Sequence, residues 1–140
     1  METQTQTASN VKQAVPFFMV ADMEKSLQFY VGGLGFEITH RWEPDGILRW
    51  CWMKLGEASL MLQEYSKARR SEGKLGEGVS ICFVCEDALA IYRDIKARGI
   101  EAKTPFVGNA MWVVSVSDPD GYRLDFESYT DVPEETVLSE

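Results

Sequence analysis

The chain has 140 residues, of which 45% are hydrophobic and 26% charged, and its formal net charge is −8. This composition is typical of a globular domain and excludes a disordered chain. The acidity argues against a nucleic-acid partner, which requires a basic surface, and suits a cationic ligand. No apolar run approaches the roughly 20 residues that a membrane-spanning helix needs, so we expect no membrane partner.

The first ten residues, METQTQTASN, have neither a basic start nor an apolar core and do not resemble a signal peptide. We interpret residues 1–10 and 131–140 as flexible tails on one domain at 11–130. Cys82 and Cys85 lie three apart on a strand-like run, so they point to opposite faces and cannot hold one metal together. Reduced thiols are expected, which fits a cytoplasmic protein.

An internal repeat organises the domain. Each copy runs from an apolar, strand-like segment to an acidic residue and then into a helix-like segment that ends at glycine. The acids Asp22 and Asp87 suit helix N-caps, and Gly35 and Gly99 suit C-terminal caps. The copies are offset by 65 residues at the acids and 64 at the glycines, which indicates a duplicated unit. They are residues 14–38, AVPFFMVADMEKSLQFYVGGLGFEI, and residues 79–102, VSICFVCEDALAIYRDIKARGIEA.

Three strand candidates follow each helix, separated by turn sequences such as EPDG and DPDG. The pattern predicts unit one at 11–66, a polar linker at 67–78 and unit two at 79–130. The fold class is therefore α+β, with two tandem β-α-β-β-β units whose curved mixed sheets surround a cleft. The strand candidates are FEITHRW, ILRWCWMKL and SLMLQEY in unit one, and IEAKTPF, MWVVSVS and YRLDFES in unit two.

The duplicated unit, together with SDPDGYRLDFES at 117–128, resembles the glyoxalase, bleomycin-resistance protein and extradiol dioxygenase superfamily, also called vicinal oxygen chelate. The resemblance covers about residues 11–129. It implies that metal-using members place ligands seven residues before each acid, in the first strand of each unit, and also in the last strands. The matching positions here are Val15, Met61, Ser80 and Asp125.

Three of these positions carry side chains that bind hard divalent cations poorly. One carboxylate remains where such centres use three or four protein ligands. The single histidine, His40, is expected to be a hydrogen-bonding residue, and Gln13 reaches a ligand position only if the register slips by two residues. We therefore predict no metal ligands and no cofactor, and we favour a binding protein over an enzyme.

The drug-binding branch of the family offers the nearest resemblance, since it carries no metal ligands at these positions. It also begins its first strand with AVP, as at 14–16 here, and links that proline to exchange of the strand between subunits. The resemblance implies a homodimer that sequesters a bleomycin-like cationic or aromatic compound. The alternatives are a metal-dependent lyase or dioxygenase with Asp125 as a ligand, and a structural dimer with a vestigial cleft.

Strand alternation selects the side chains expected to face the cleft. Arg123, Asp125 and Glu127 are the candidate polar anchors, and two interpretations stay open for them. One is an Arg–carboxylate pair that satisfies itself, and the other is a patch that recognises a ligand. The candidate ligand-binding residues are Phe17, Met19, Trp50, Trp52, Met61, Ser80, Cys82, Trp112, Arg123, Asp125 and Glu127.

Overall fold

Two four-stranded sheets, each with a helix on one face, form the protein. The structure is a computed structural model and describes residues 8–66, 68 and 73–139. In unit one the elements are β1 (Phe17–Val20), α1 (Met23–Leu27), β2 (Glu37–Trp42), β3 (Trp50–Leu55) and β4 (Ala58–Glu64). In unit two they are β5 (Ser80–Val84), α2 (Ala88–Ala97), β6 (Phe106–Gly108), β7 (Met111–Ser117) and β8 (Arg123–Tyr129).

Both sheets have the same topology, β1-β4-β3-β2 in the first and β5-β8-β7-β6 in the second. In each sheet the first strand runs parallel to the last, and the other neighbours are antiparallel. The predicted α+β fold of two β-α-β-β-β units with mixed sheets is therefore confirmed. In the described part of the chain, no helix is long and apolar enough to span a membrane.

The predicted helix caps are present in both units. The carboxylates of Asp22 and Asp87 each accept a hydrogen bond from the backbone N–H three residues later, at 3.2 and 3.0 Å. Gly35 and Gly99 have φ of +90° and +88°, in the left-handed region that glycine adopts without a Cβ penalty. The repeat seen in the sequence thus corresponds to two helical segments that share the same type of N-cap and have a left-handed glycine directly after the C-cap residue.

A second repeated feature ties each helix to its own sheet. The backbone N–H of Met23 donates to the Glu64 carboxylate at 2.8 Å, and that of Ala88 donates to the Ser128 hydroxyl at 2.9 Å. Both acceptors lie at the end of the last strand of their unit. They satisfy helix N-terminal N–H groups that have no partner inside the helix.

The two units differ in helix geometry. After α1 the chain continues as a π-helical segment, Gln28–Gly33, whereas α2 is a regular helix of 10 residues. A Cβ on Gly33 would lie 2.4 Å from the Cδ1 atom of Ile100. The guanidinium of Arg98 also donates to the Gly33 carbonyl at 3.2 Å. The end of the π-helical segment therefore packs closely against the end of α2.

The helix-facing side chains of both sheets share one core. Phe18 stacks on Tyr122 with ring centroids 3.9 Å apart, and Phe36 meets Phe83 edge to face at 6.1 Å. Each of these contacts joins unit one to unit two. The opposite face of each sheet, called the open face below, therefore points away from the core. Buried residues on the helix side include Phe18, Val20, Leu60, Leu62, Val114, Leu124 and Phe126.

Two strand candidates are shorter than expected, since β3 begins at Trp50 rather than at the start of ILRWCWMKL, and the second case is more pronounced. IEAKTPF was predicted as a strand, but β6 begins only at Phe106. Among the described residues, a single backbone hydrogen bond joins this segment to β7 before that point, from the Lys103 N–H to the Ser115 carbonyl at 3.2 Å. Pro105 has no N–H to extend the pairing.

The C-terminal segment differs from the flexible tail expected for 131–140, because residues 133–138 lie along the outer edge of β6. The N–H of Glu135 donates to the Val107 carbonyl at 2.8 Å, and the N–H of Val107 donates to the Thr136 carbonyl at 2.9 Å. The Glu134 carboxylate accepts the two N–H groups of the β6–β7 turn, each at 2.8 Å.

The structure describes only some of the residues in the predicted N-terminal tail and in the predicted linker. At the N-terminus, residues 8–10 form a short helical turn, and residues 1–7 lie outside the described part of the chain. Within the predicted linker at 67–78, residues 67 and 69–72 also lie outside it. Gly76, near the end of the linker, is buried, so this part of the linker packs on the domain.

Candidate functional site

The open face of the first sheet gathers five of the predicted ligand-binding residues. In the strand register Phe17 lies beside Met61 and Met61 beside Trp52, while Met19 lies beside Gln63 and Gln63 beside Trp50. Side chains at such paired positions contact one another. We call this surface the aromatic face, and its members are Phe17, Met19, His40, Trp42, Trp50, Trp52, Met61 and Gln63.

Three members of the aromatic face, His40, Trp42 and Gln63, were not among the predicted ligand-binding residues. A register shift in β2 just before His40 places His40 opposite Trp52 and Trp42 opposite Trp50. The His40 and Trp52 rings meet edge to face with centroids 6.1 Å apart. Strict alternation misses this, since a β-bulge adds one residue and moves later side chains to the other face.

The open face of the second sheet carries an internally satisfied Arg–carboxylate pair. The Nε atom of Arg123 donates to Asp125 at 3.0 Å, and the Ser115 hydroxyl donates to the same carboxylate oxygen at 2.6 Å. Asp125 is only 9% exposed. The polar anchors were interpreted either as an internal Arg–carboxylate pair or as a patch that recognises a ligand. For Arg123 and Asp125 the geometry agrees with the internal pair.

Glu127 lies two residues further along the same face and has a different environment. Its Oε2 accepts a hydrogen bond from the Cys82 thiol at 2.9 Å, and in the part of the chain that the structure covers it joins no ion pair. Partial burial and the neighbouring Glu127 carboxylate raise the pKa of Cys82 to about 12. The thiol therefore stays protonated near neutral pH and is only a weak donor.

The candidate residues of the second sheet form a surface that we call the carboxylate face: Ser80, Cys82, Val84, Ser115, Arg123, Asp125 and Glu127. The strand register sets Ser80 beside Arg123 and Cys82 beside Asp125. Its one charge that lacks a cation is that of Glu127.

Trp112 requires a correction, because the structure places it on the other side of the second sheet. It lies opposite Ser128, whose hydroxyl accepts the first N–H of α2, and it packs against the core. Asp125 instead lies opposite Ser115 on the open side. We therefore omit Trp112 from the candidate site.

The residues at the four family ligand positions do not fit a metal ion. Met61 belongs to the aromatic face, Ser80 lies on the carboxylate face, and the carboxylate of Asp125 already holds the Arg123 guanidinium. Val15 offers no donor. Among the described residues, no three His, Cys, Asp or Glu side chains converge as a group that could hold an ion.

The acidic DPDG turn has a structural role. One oxygen of Asp118 accepts the backbone N–H groups of Asp120 and Tyr122, both at 2.9 Å, and the other accepts the Tyr30 hydroxyl at 2.7 Å. Burial raises the pKa of the Asp118 carboxyl above its ordinary value. Asp120 in turn accepts the N–H of Ala21 at 3.2 Å. The turn of unit two is thereby fastened to unit one.

Solved structures with the same fold are numerous, although their sequences are distant. TioX from Micromonospora sp. ML1 is 15% identical, and the match covers 86% of this chain and 100% of that chain with a TM-score of 0.68. TnmS3, an antibiotic binding protein from Streptomyces sp. CB03234, is 22% identical over 86% and 98% of the two chains, with a TM-score of 0.65. A glyoxalase/bleomycin resistance protein/dioxygenase from Nocardioides is 16% identical over 99% and 98%, with a TM-score of 0.64.

At these identities the structural likeness establishes the fold alone. No curated protein sequence matches the chain. Residues 11–126, however, match the family described as the Glyoxalase/Bleomycin resistance protein/Dioxygenase superfamily, and they cover nearly all of the duplicated domain. The chain therefore belongs to the glyoxalase/bleomycin resistance protein/dioxygenase superfamily.

Proposed function

We propose that the protein binds a small aromatic cation, such as a bleomycin-like antibiotic, without a metal ion. The observation that carries this proposal is the aromatic face, where Trp42, Trp50 and Trp52 lie on one surface beside Phe17 and are not covered by the core. Trp42 is 53% exposed and Phe17 is 50% exposed. Contiguous exposed apolar patches on folded proteins commonly mark binding surfaces.

The ring faces favour a planar, positively charged ligand. Aromatic rings stack on indole with a gain of about 0.5–1.5 kcal/mol beyond the burial of apolar area. A cation over a tryptophan ring adds about 0.5–2 kcal/mol, depending on how far it is removed from water. The chain as a whole carries a net charge of −8, which attracts such a ligand from solution.

Glu127 supports the cationic assignment from the second sheet. Asp125 already has its guanidinium partner, whereas Glu127 is held by the thiol of Cys82. A ligand ammonium that replaces the weak S–H donor gains a charge-assisted hydrogen bond, which contributes about 1.5–3 kcal/mol. We therefore assign Glu127 as the ligand's anionic anchor and Asp125 as a structural residue.

A homodimer is part of the proposal, because the two open faces of one chain point away from its common core. Apolar side chains on the open side of the second sheet are exposed, with Val84 at 68% and Tyr129 at 75%. A two-fold dimer can place the aromatic face of one protomer opposite the carboxylate face of the other, and thereby form two equivalent clefts. The fold shared with TnmS3, an antibiotic binding protein, agrees with such a role.

Calorimetric titration of the full-length protein with metal-free bleomycin, in buffer containing EDTA, tests the proposal. We expect one ligand per chain, and Glu127→Gln should weaken binding about tenfold, which corresponds to roughly 1.4 kcal/mol. Glu24→Gln, which removes one carboxylate from the exposed side of α1, should leave the affinity unchanged. Trp50→Ala should weaken binding while preserving the stoichiometry.

Three results would contradict the proposal. The first is binding that appears only after a divalent metal is added, or one tightly held divalent ion per chain after purification without chelator. The second is an affinity that neither Trp50→Ala nor Glu127→Gln changes. The third is the absence of binding both for bleomycin and for proflavine, a small planar cation. Sedimentation of the free protein as a monomer at every concentration would exclude the dimeric cleft.

A further inference from the structure

A groove with a volume of about 620 Å³ lies at the edge of the second sheet, outside the aromatic face. It runs between the C-terminal end of α2, the segment that leads to β6, and β7. Among the backbone hydrogen bonds of the described residues, the one from the Lys103 N–H to the Ser115 carbonyl joins that segment to β7. The lining residues are Lys96, Gly99, Ile100, Glu101, Ala102, Lys103, Ser115, Val116, Ser117 and Arg123.

The charge of this groove is opposite to that of the protein. Its lining contains three cationic side chains, Lys96, Lys103 and Arg123, and one carboxylate, Glu101. The whole chain has 22 acidic and 14 basic residues. Cations gathered in a concave site on an acidic protein favour an anionic ligand, since a concave site of one charge concentrates the opposite ion.

The three cationic side chains of the groove differ in the contacts that they make within the protein. Arg123 donates from Nε to Asp125 and from Nη2 to the Ser115 hydroxyl at 3.4 Å, and its half-exposed side chain lines the groove. Lys96 lies 5.0 Å from the centre of the Tyr92 ring and donates to its hydroxyl at 3.2 Å. Lys103 is exposed and takes part in no ion pair among the residues that the structure describes.

Two further features narrow the class of anion. The end of α2 at Gly99 borders the groove, and a helix C-terminus carries a partial negative charge. This charge opposes a doubly charged phosphate more strongly than a singly charged carboxylate. Ile100 and Ala102, both half-buried, add apolar surface that suits the body of an organic molecule.

We propose that this groove binds a small organic carboxylate, with Lys103 and Arg123 as the cations that contact it and Ser117 as a hydroxyl donor. A planar guanidinium matches the two oxygens of a carboxylate. This site shares Arg123 and Ser115 with the carboxylate face but includes neither Glu127 nor any member of the aromatic face, so the two proposals can be tested separately.

The test uses sodium benzoate and uniformly ¹⁵N-labelled full-length protein, observed by two-dimensional amide NMR. Saturable shifts are expected at residues 99–103 and 115–117. Lys103→Glu should weaken benzoate binding at least about tenfold, because it reverses one charge of the lining. Lys25→Glu, which makes the same change on the exposed side of α1, should have no effect. Benzamide, the neutral analogue, should bind at least about tenfold more weakly than benzoate.

Several outcomes would overturn the proposal. They are shifts confined to the aromatic face, equal binding by wild type and Lys103→Glu, inorganic phosphate binding as tightly as benzoate, and no saturation up to about 10 mM benzoate. An unchanged amide spectrum of Lys103→Glu outside the groove verifies that the variant is folded. Trp50→Ala separates the two proposals, since it should weaken bleomycin binding and leave benzoate binding intact.

Discussion

The hydroxyl of Tyr30 donates a 2.7 Å hydrogen bond to the carboxylate of Asp118, 88 positions further along the chain. Tyr30 belongs to the π-helical segment of unit one and Asp118 to the DPDG turn of unit two. The hydrogen bond therefore joins the two duplicated units through polar side chains.

Removing the Tyr30 hydroxyl should destabilise the domain. Tyr30→Phe leaves one oxygen of the buried Asp118 carboxylate without this donor, and we expect the free energy of unfolding to fall by about 2 kcal/mol. Urea unfolding measures this change. Tyr129→Phe makes the same substitution at a residue that is 75% exposed and should stay within about 0.5 kcal/mol of wild type. Equal stabilities for the two variants would contradict the assigned role.

Asp118 should make stability depend on pH in the direction opposite to most carboxylates. Burial raises its pKa in the folded state above the unfolded value of about 3.9. The folded state then binds the proton first as pH falls, so this stabilising contribution is full below about pH 3.9 and is lost as pH rises through the folded pKa. The difference in free energy of unfolding, wild type minus Asp118→Asn, should become larger as the pH is lowered from 7 to about 4.5. A difference that is constant or decreases over this range would contradict the raised pKa.

Cys82 should react slowly with alkylating reagents. Partial burial and the Glu127 carboxylate raise its pKa to about 12, so little thiolate is present near neutral pH. Glu127→Gln removes the charge and lowers the pKa, so the rate of iodoacetamide labelling at Cys82 should rise by up to about tenfold per unit of pKa, the limit set by the gain in thiolate. Cys82→Ser provides the background from the other cysteines. An unchanged rate in Glu127→Gln would show that burial alone controls this thiol.

Replacing Ala110 by glycine should increase the stability of the domain. It has φ of +63° in the β6–β7 turn, next to Asn109 with φ of +52°. Such turns favour Asn-Gly, because a Cβ in the left-handed region costs about 1–2 kcal/mol. We expect Ala110→Gly to stabilise the domain by up to about 1 kcal/mol, measured by thermal unfolding. Asn109→Gly should gain less, since asparagine tolerates this conformation better, and a loss of stability in Ala110→Gly would refute the argument.

Alanine substitutions at Gly76 and Gly78 distinguish the cost of a steric clash from the cost of backbone strain. Their φ values are +73° and +77°, so alanine at either position is strained to a similar extent. A Cβ on Gly76 would lie 2.4 Å from the backbone nitrogen of Tyr122, whereas one on Gly78 meets nothing within 4 Å. Gly76→Ala should therefore lose at least about 1 kcal/mol more than Gly78→Ala in urea unfolding. Equal losses would show that the linker does not pack on the DPDG turn.

Local patterns predicted the features of the fold that depend on neighbouring residues. Asp22 and Gly35 could be identified as caps because capping depends on the residue type at a helix end. The separation of Phe17 from Phe18 onto opposite faces followed from alternation along a strand, and the exposed fractions of 50% and 4% agree with it.

Features that depend on distant pairing were missed. The bulge that moves His40 and Trp42 onto the aromatic face is defined by the partner strand β3 and leaves no local signal. Trp112 was assigned to the cleft because its strand was not aligned against β8. Residues 133–138, PEETVL, pair with β6 although their own sequence has no strand-like alternation, so composition alone suggested a tail.

The strand-like course of the C-terminal segment also covers one edge of the second sheet. An uncovered sheet edge can add a strand from another molecule and start aggregation. Residues 133–138 occupy the outer edge of β6, and the two hydrogen bonds to Glu134 hold them in place. Removing residues 133–138 would therefore leave the outer edge of β6 without the segment that covers it.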